Sequence, residues 1–213
     1  MTPAPFFVKV CGITRAEDAQ HAVAQGATAL GFVFWPNSPR YVSPERAREI
    51  IAGVPPGVMT VGVFVNEPVD GIRDVVSRTG ISTVQLHGDE PPAVAEQLSG
   101  PLLRSVTVDR AGEVCRVWPA ETLFLVDAHD PVRRGGTGAA VAWVLAGEVA
   151  RRWRVVLAGG LTPENVAEAI ATVRPYGVDV SSGVERSPGV KDGDKVARFV
   201  ARARSAFADC EER

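Results

Sequence analysis

The chain has 213 residues, 46% of them hydrophobic and 23% charged, which is ordinary globular composition and enough to bury one sizeable core. A formal charge of -2 and a pI near 6.0 leave no electrostatic footprint for nucleic acid or an acidic membrane surface. No apolar run is long enough to span a bilayer, Met1 to Pro5 lacks the basic and apolar regions of a signal peptide, and Cys11, Cys115 and Cys210 form no CxxC pair, so a disulfide framework or zinc site is not expected and a cytoplasmic setting is.

Strand-like and helix-like segments alternate along the chain. The first is the apolar run Phe6 to Cys11, stopped by Gly12. Thr14 with Glu17 three residues later is a capping box for a helix running through Val23 to Gly26. Ala29 to Phe34 reads as the second strand, followed by the polar loop Trp35 to Val42. Ser43-Pro44-Glu45 supplies an N-cap, a proline in the first turn and an acid beside it. Met59 to Val65 and Pro68 to Thr79 form the third strand–helix pair, and Thr83 to Leu86, ending His87-Gly88, with Pro91 to Leu98 the fourth. Leu103 to Val108 and Ala111 to Val117 make the fifth. Leu123 to Asp127, the loop Ala128 to Gly138 and a helix around Ala140 to Ala150 make the sixth. Arg154 to Ala158 ends in Gly159-Gly160, and Thr162-Pro163-Glu164 repeats the capping device. Val178 to Val180 ends in Ser181-Ser182-Gly183; a glycine-proline loop and a helix from about Asp192 to Ala208 close the chain.

Eight such units, with strands that are mostly continuous apolar runs, predict one (β/α)₈ TIM-barrel domain over 1–213. A doubly wound open sheet is the alternative; no GxGxxG follows the first strand to support its dinucleotide-binding version. In a barrel the chemistry belongs at the C-terminal strand ends. If the valines point outward, period-two alternation aims Lys9, Cys11, His87, Asp127 and Asp179 inward. A lysine two residues before a cysteine on one face can stabilise a thiolate; the plainer reading is an inert buried cysteine and a lysine paired with a carboxylate. First and eighth strands are neighbours in a closed barrel, so Asp179 is the expected partner of Lys9.

Gly159-Gly160 and Ser182-Gly183 leave backbone N–H groups open to an anion at the place where barrels commonly hold phosphate. Arg40, between Pro39 and Tyr41, can clamp a carboxylate with both arms of its guanidinium or stand solvated. The glycine-rich loop Arg133 to Gly138 suits a segment that closes over a substrate, or an ordinary surface loop. His87 is read as a supporting residue of the barrel mouth.

These residues resemble a known family. Lys9-Val10-Cys11-Gly12-Ile13-Thr14, Gly31-Phe32-Val33-Phe34, Ser38-Pro39-Arg40-Tyr41-Val42 and Gly62-Val63-Phe64-Val65-Asn66 carry the resemblance. So do Val84-Gln85-Leu86-His87-Gly88, Gly135-Gly136-Thr137-Gly138, Leu157-Ala158-Gly159-Gly160-Leu161 and Val178-Asp179-Val180-Ser181-Ser182-Gly183-Val184-Glu185. Jointly and in order they are similar to phosphoribosylanthranilate isomerase of tryptophan biosynthesis. The resemblance implies an Amadori rearrangement of N-(5-phosphoribosyl)anthranilate that uses no cofactor and no metal. It implies a small-molecule substrate, no nucleic-acid or membrane partner, and a monomer or homodimer. Carried over, Cys11 is the general base, Asp127 the general acid and Arg40 the contact to the anthranilate carboxylate. The chemistry fits: an acid opens the furanose and a base then takes the C2 proton. A thiolate base avoids a second carboxylate that would raise the acid's pKa.

The chain departs from the family pattern after the glycine loop. Val141-Ala142-Trp143 stands where Phe-Asp-Trp is frequent, and Ala139 where lysine is frequent. Two other functions remain to be weighed: a lyase of the indole-glycerol-phosphate synthase kind, which needs more strand lysines than Lys9, and a catalytically silent barrel that binds a phosphorylated sugar.

Overall fold

The computed structural model describes residues 6–128 and 136–211, without the side chains of 136–141 and 211. Strand β1 (Phe7–Cys11) leads to α1 (Ala16–Ala24), β2 (Ala29–Val33) to α2 (Pro44–Ile51), β3 (Met59–Phe64) to α3 (Val69–Thr79), and β4 (Thr83–Leu86) to a 3₁₀ turn (Pro92–Gln97). Then come β5 (Leu102–Thr107), α4 (Ala111–Val117), β6 (Leu123–Asp127), α5 (Gly136–Ala150), β7 (Val155–Ala158), α6 (Val166–Val173) and β8 (Gly177–Val180). A second 3₁₀ turn (Ser182–Val184), the short pair β9 (Glu185–Ser187) and β10 (Val190–Lys191), and α7 (Gly193–Glu211) complete the order.

The eight long strands are all parallel, and β1 pairs with both β2 and β8, so the barrel is closed and the open-sheet alternative is excluded. Closure brings Lys9 opposite Asp179 in register. Alternation then sorts the strand residues into two layers. Val8, Val10, Leu30, Phe32, Val126, Val178 and Val180 pack outward with helix residues such as Ala22, Ile50, Ile72, Ile170 and Phe199. Phe7, Ala29, Val61, Leu103, Leu125 and Val156 fill the barrel interior, and Cys11, Val33 and Val63 form a smaller apolar group. Each fully buried Val or Leu contributes about 1.5–3 kcal/mol, so this pattern fixes which face of every strand looks inward.

Several local expectations change. The helix predicted over Pro91 to Leu98 is a 3₁₀ turn; Val94, Ala95 and Leu98 pack against the core but are only partly buried, too little to hold an α-helical face. The capping box at Thr14 does not form: the Thr14 hydroxyl donates to the Gly189 carbonyl, and Glu17 is held by Arg15. At Thr162 the helix proper starts later than expected, at Val166, but the cap bond forms: the Thr162 hydroxyl accepts from the Glu164 N–H. Asn165 folds the turn between, its side-chain oxygen accepting from the Thr162 N–H and its amide nitrogen donating to the Gly160 carbonyl. Ser43 does cap α2, accepting from the Arg46 N–H. The glycine-proline loop after β8 contains the β9–β10 hairpin, which packs beside the barrel mouth.

Candidate active site

A cavity of about 630 Å³ opens at the C-terminal ends of the strands. Cys11, Arg40, His87, Asp127, Gly159, Gly160, Asp179, Ser182 and Gly183 all line it, so the residues singled out in the sequence come together with one exception. Lys9 lies beneath the cavity, fully buried, with Nζ donating to Asp179 Oδ1 at 2.9 Å. Its walls also include Val33, Val63, Val65 and Trp35.

Cys11 and Asp127 end β1 and β6, and the shorter way round the barrel between them passes β7 and β8. The glycine loops of those two strands therefore sit between the thiol and the carboxyl. Gly159 and Gly160 have φ of 91° and 65°, conformations that side chains other than glycine rarely adopt. Gly183 approaches the Leu161 carbonyl so closely that a Cβ would collide with its oxygen. That contact packs the turn after β8 against the turn after β7, forming a cradle without bulky side chains. Asp127 is half-buried where the cavity meets a second hollow of about 330 Å³ bounded by Asn66, Asp89, Arg104 and Arg110.

The electrostatics correct one expectation. Burial pushes the Cys11 thiol above its ordinary pKa; Lys9 pulls it down, but Asp179 pushes it up again, so the fold does not hold a standing thiolate. Burial works against the Lys9 charge, yet Asp179 and Cys11 together leave its pKa raised. His87 is lowered by burial first and by Lys9 second, which keeps the ring neutral. The Gln85 side-chain amide bridges His87 and Ser105, with its nitrogen 3.2 Å from His87 Nδ1 and 2.9 Å from the Ser105 hydroxyl.

Arg40 lines the cavity with its guanidinium already gripped from one side. Nε donates to Glu185 Oε1 at 2.9 Å and Nη2 to Glu185 Oε2 at 2.7 Å, a bidentate pair. Behind Glu185 stands Lys191, whose Nζ donates to Glu185 Oε1 at 2.9 Å and to the Cys11 carbonyl at 2.6 Å. Neither Glu185 nor Lys191 was expected to serve the site. Lysine is rare in this chain, and the structure buries Lys9 and Lys191 at one end of the barrel; that rarity was the available signal.

Most of the loop Ala128 to Gly138, read as a candidate closing segment, and the side chain of Ala139 lie outside the described residues. Ala142 and Trp143 are buried in the outer apolar layer, where the small side chain of Ala142 needs no polar partner. Among the described residues no group of three His, Cys, Asp or Glu side chains is placed to hold a metal ion.

Comparisons of the sequence and of the fold with known proteins point to one family. The family model described as N-(5'-phosphoribosyl)anthranilate (PRA) isomerase matches residues 8–202. A protein of that name from Geobacter metallireducens is 46% identical over 202 residues, covering 93% of this chain and 98% of the relative. The crystal structure of phosphoribosyl anthranilate isomerase from Thermotoga maritima superposes with a TM-score of 0.85 at 43% identity, covering 94% of this chain and 99% of that one. A further crystal structure of such an isomerase, in complex with reduced 1-(o-carboxyphenylamino)-1-deoxyribulose 5-phosphate, gives 0.82 at 42% identity over the same shares of each chain.

Proposed function

The chain belongs to the N-(5'-phosphoribosyl)anthranilate isomerase family, and from that premise we propose a role for each residue of its cavity. The reaction is the Amadori rearrangement of N-(5-phosphoribosyl)anthranilate to the corresponding aminodeoxyribulose phosphate. The phosphate lies in the cradle of Gly159, Gly160, Ser182 and Gly183, where backbone N–H groups meet an anion. The anthranilate ring rests against Val33, Val63, Val65 and Trp35, and Arg40 meets its carboxylate with the part of the guanidinium that Glu185 leaves over.

Asp127 gives its proton to the furanose ring oxygen as the C1–O bond breaks and the anilino nitrogen lone pair forms a cationic Schiff base. Cys11 then removes the proton from C2; the electrons of that C–H bond form the enolamine, which tautomerises to the ketose. The raised thiol pKa of the free site is compatible with this role. A cationic Schiff base formed beside the thiol favours the thiolate at the step that needs it, as any nearby positive charge does. Lys9 and Asp179 support the thiol from below, and His87 stays neutral at the rim.

The observation that carries this reading is the meeting of Cys11, Asp127, Arg40 and the two glycine turns in one cavity. We place the enzyme in the cytoplasm, a compartment suited to its three free cysteines, acting as a single barrel domain and as a monomer or homodimer. The test generates the substrate in situ and follows the change in anthranilate fluorescence. Acceleration over the spontaneous background is expected; none would overturn the reading. Arg40→Ala should chiefly raise KM, and an unchanged KM would sink its assignment to the carboxylate.

A further inference from the structure

Outside the cavity wall, one cluster of buried charge has no role in the chemistry above. Lys191 is 2% exposed and enters from β10, far from β1 in sequence. Its Nζ donates to the Cys11 carbonyl at 2.6 Å, to the Ser181 carbonyl at 3.3 Å and to Glu185 Oε1 at 2.9 Å. Its backbone N–H donates to Asp18 Oδ2 at 3.0 Å, which fixes the hairpin against α1. Glu185 in turn accepts from Nε and Nη2 of Arg40, and its Oε1 also faces the Gly189 N–H at 3.3 Å.

A lone lysine taken out of water is costly, and a hydrophobic side chain could fill its space with no such penalty. All three of its acceptors belong to segments that shape the cavity. Cys11 is the last residue of β1, and Ser181 follows β8 directly and opens the turn that carries Ser182 and Gly183. Glu185 is the anchor of the arginine. The ammonium therefore ties the backbone of the thiol, the backbone of the phosphate turn and the orientation of the guanidinium to one point.

We propose that Lys191 and Glu185 are positioning residues of the isomerisation, a buried pair that fixes the backbone carrying Cys11 and the rotamer of Arg40 relative to each other. The inference rests on the functional reading given above. It predicts a division of labour: Lys191 acts through Cys11, so its loss falls on turnover, whereas Glu185 acts through Arg40, so its loss falls on substrate affinity.

The test uses Lys191→Met and Glu185→Gln in the full chain, with circular dichroism to verify the fold. Steady-state kinetics and the pH dependence of Cys11 alkylation by iodoacetamide, read by peptide mass spectrometry, are the measurements. Lys191→Met should lower kcat about 10-fold or more with a smaller change in KM, since small misplacements of a reacting group are costly. It should also shift the alkylation profile of Cys11. Glu185→Gln should raise KM more than it lowers kcat. If Lys191→Met does not fold, the double variant Lys191→Met/Glu185→Gln removes both charges together and should combine the two kinetic defects. Folded variants with wild-type kcat, KM and alkylation would overturn the proposal. A shifted alkylation profile with unchanged turnover would overturn it as well, because the ammonium would then tune the thiol by its charge without positioning anything the isomerisation needs.

Discussion

Lys9 and Asp179 face each other across the seam where β1 meets β8, with Nζ 2.9 Å from Oδ1 and the lysine side chain wholly excluded from solvent. The pair is the polar floor of the cavity, and it adds a side-chain tie to the backbone ladder that joins the first strand of the barrel to the last. Removing one partner leaves the other charge buried, which typically costs about 3–5 kcal/mol. Lys9→Met is therefore expected to lower the free energy of unfolding by that amount in urea titrations. The double variant Lys9→Met/Asp179→Leu should recover most of it. A single variant as stable as wild type would mean that the pair contributes nothing to closure.

That pairing was legible in the sequence, because period-two alternation and the neighbourhood of first and eighth strands both follow from counting elements. So were Cys11, Asp127 and the glycine turns, since barrel chemistry gathers at strand ends and these were the unusual residues there. The Lys191–Glu185–Arg40 cluster was not legible in the same way. Its members come from the loop after β2 and from a hairpin after β8, and no periodicity within a strand relates them. The direction of the Cys11 pKa was not legible for a related reason. A neighbouring lysine can be read from spacing, but the burial that outweighs it depends on how the whole barrel closes.

Gly31 on β2 faces Cys11 with no room to spare. A Cβ there would stand 2.6 Å from the thiol sulfur, 3.0 Å from the Cys11 Cα and 3.1 Å from Lys9 Cε. Gly31→Ala must push the thiol or its strand aside, and overpacking of this kind costs about 1–3 kcal/mol in stability. Because the displaced atom is the proposed base, kcat should fall about 100-fold while KM changes less. Equal losses in both constants would point to a general disturbance of the cavity.

Gly183 predicts the opposite split. Its Cβ would strike the Leu161 carbonyl oxygen, part of the backbone of the neighbouring turn, which cannot swing away as a long side chain can. Gly183→Ala should open the cradle between the turns after β7 and β8. Substrate affinity should weaken about 10-fold or more through lost backbone contacts to the phosphate, and inorganic phosphate should become a poorer competitive inhibitor. An unchanged phosphate inhibition constant would remove this turn from the binding site.

Cys11→Ala and Asp127→Asn should each lower kcat by at least about 100-fold, the scale of a lost general base or acid. Both side chains line the cavity, so neither substitution should create a void deep in the core. The check is the single-turnover rate with substrate formed in situ, which separates chemistry from product release. Turnover within a few-fold of wild type in either variant would strip that residue of its role.

The pH dependence follows from the raised Cys11 pKa, and its sign differs for activity and for stability. Burial is the largest cause of the shift; Lys9 and Lys191 oppose it and Asp179 reinforces it. A thiol whose pKa rises on folding is favoured by the fold in its protonated form. Its contribution to stability is fully present below the pKa of an unfolded thiol and is lost as pH rises towards the folded value. Activity through a thiolate runs the other way, so kcat/KM, which reports the free enzyme, should climb with pH to a midpoint above that of an ordinary cysteine. Between those two values the enzyme should grow faster and less stable together. Cys115, which burial pushes up to about 12, does not line the cavity and should stay unreactive towards iodoacetamide through this range. In Cys11→Ala the alkaline loss of thermal stability should shrink, since the burial of an ionising group is gone. A kcat/KM midpoint at or below the ordinary thiol value would mean that burial does not control the base.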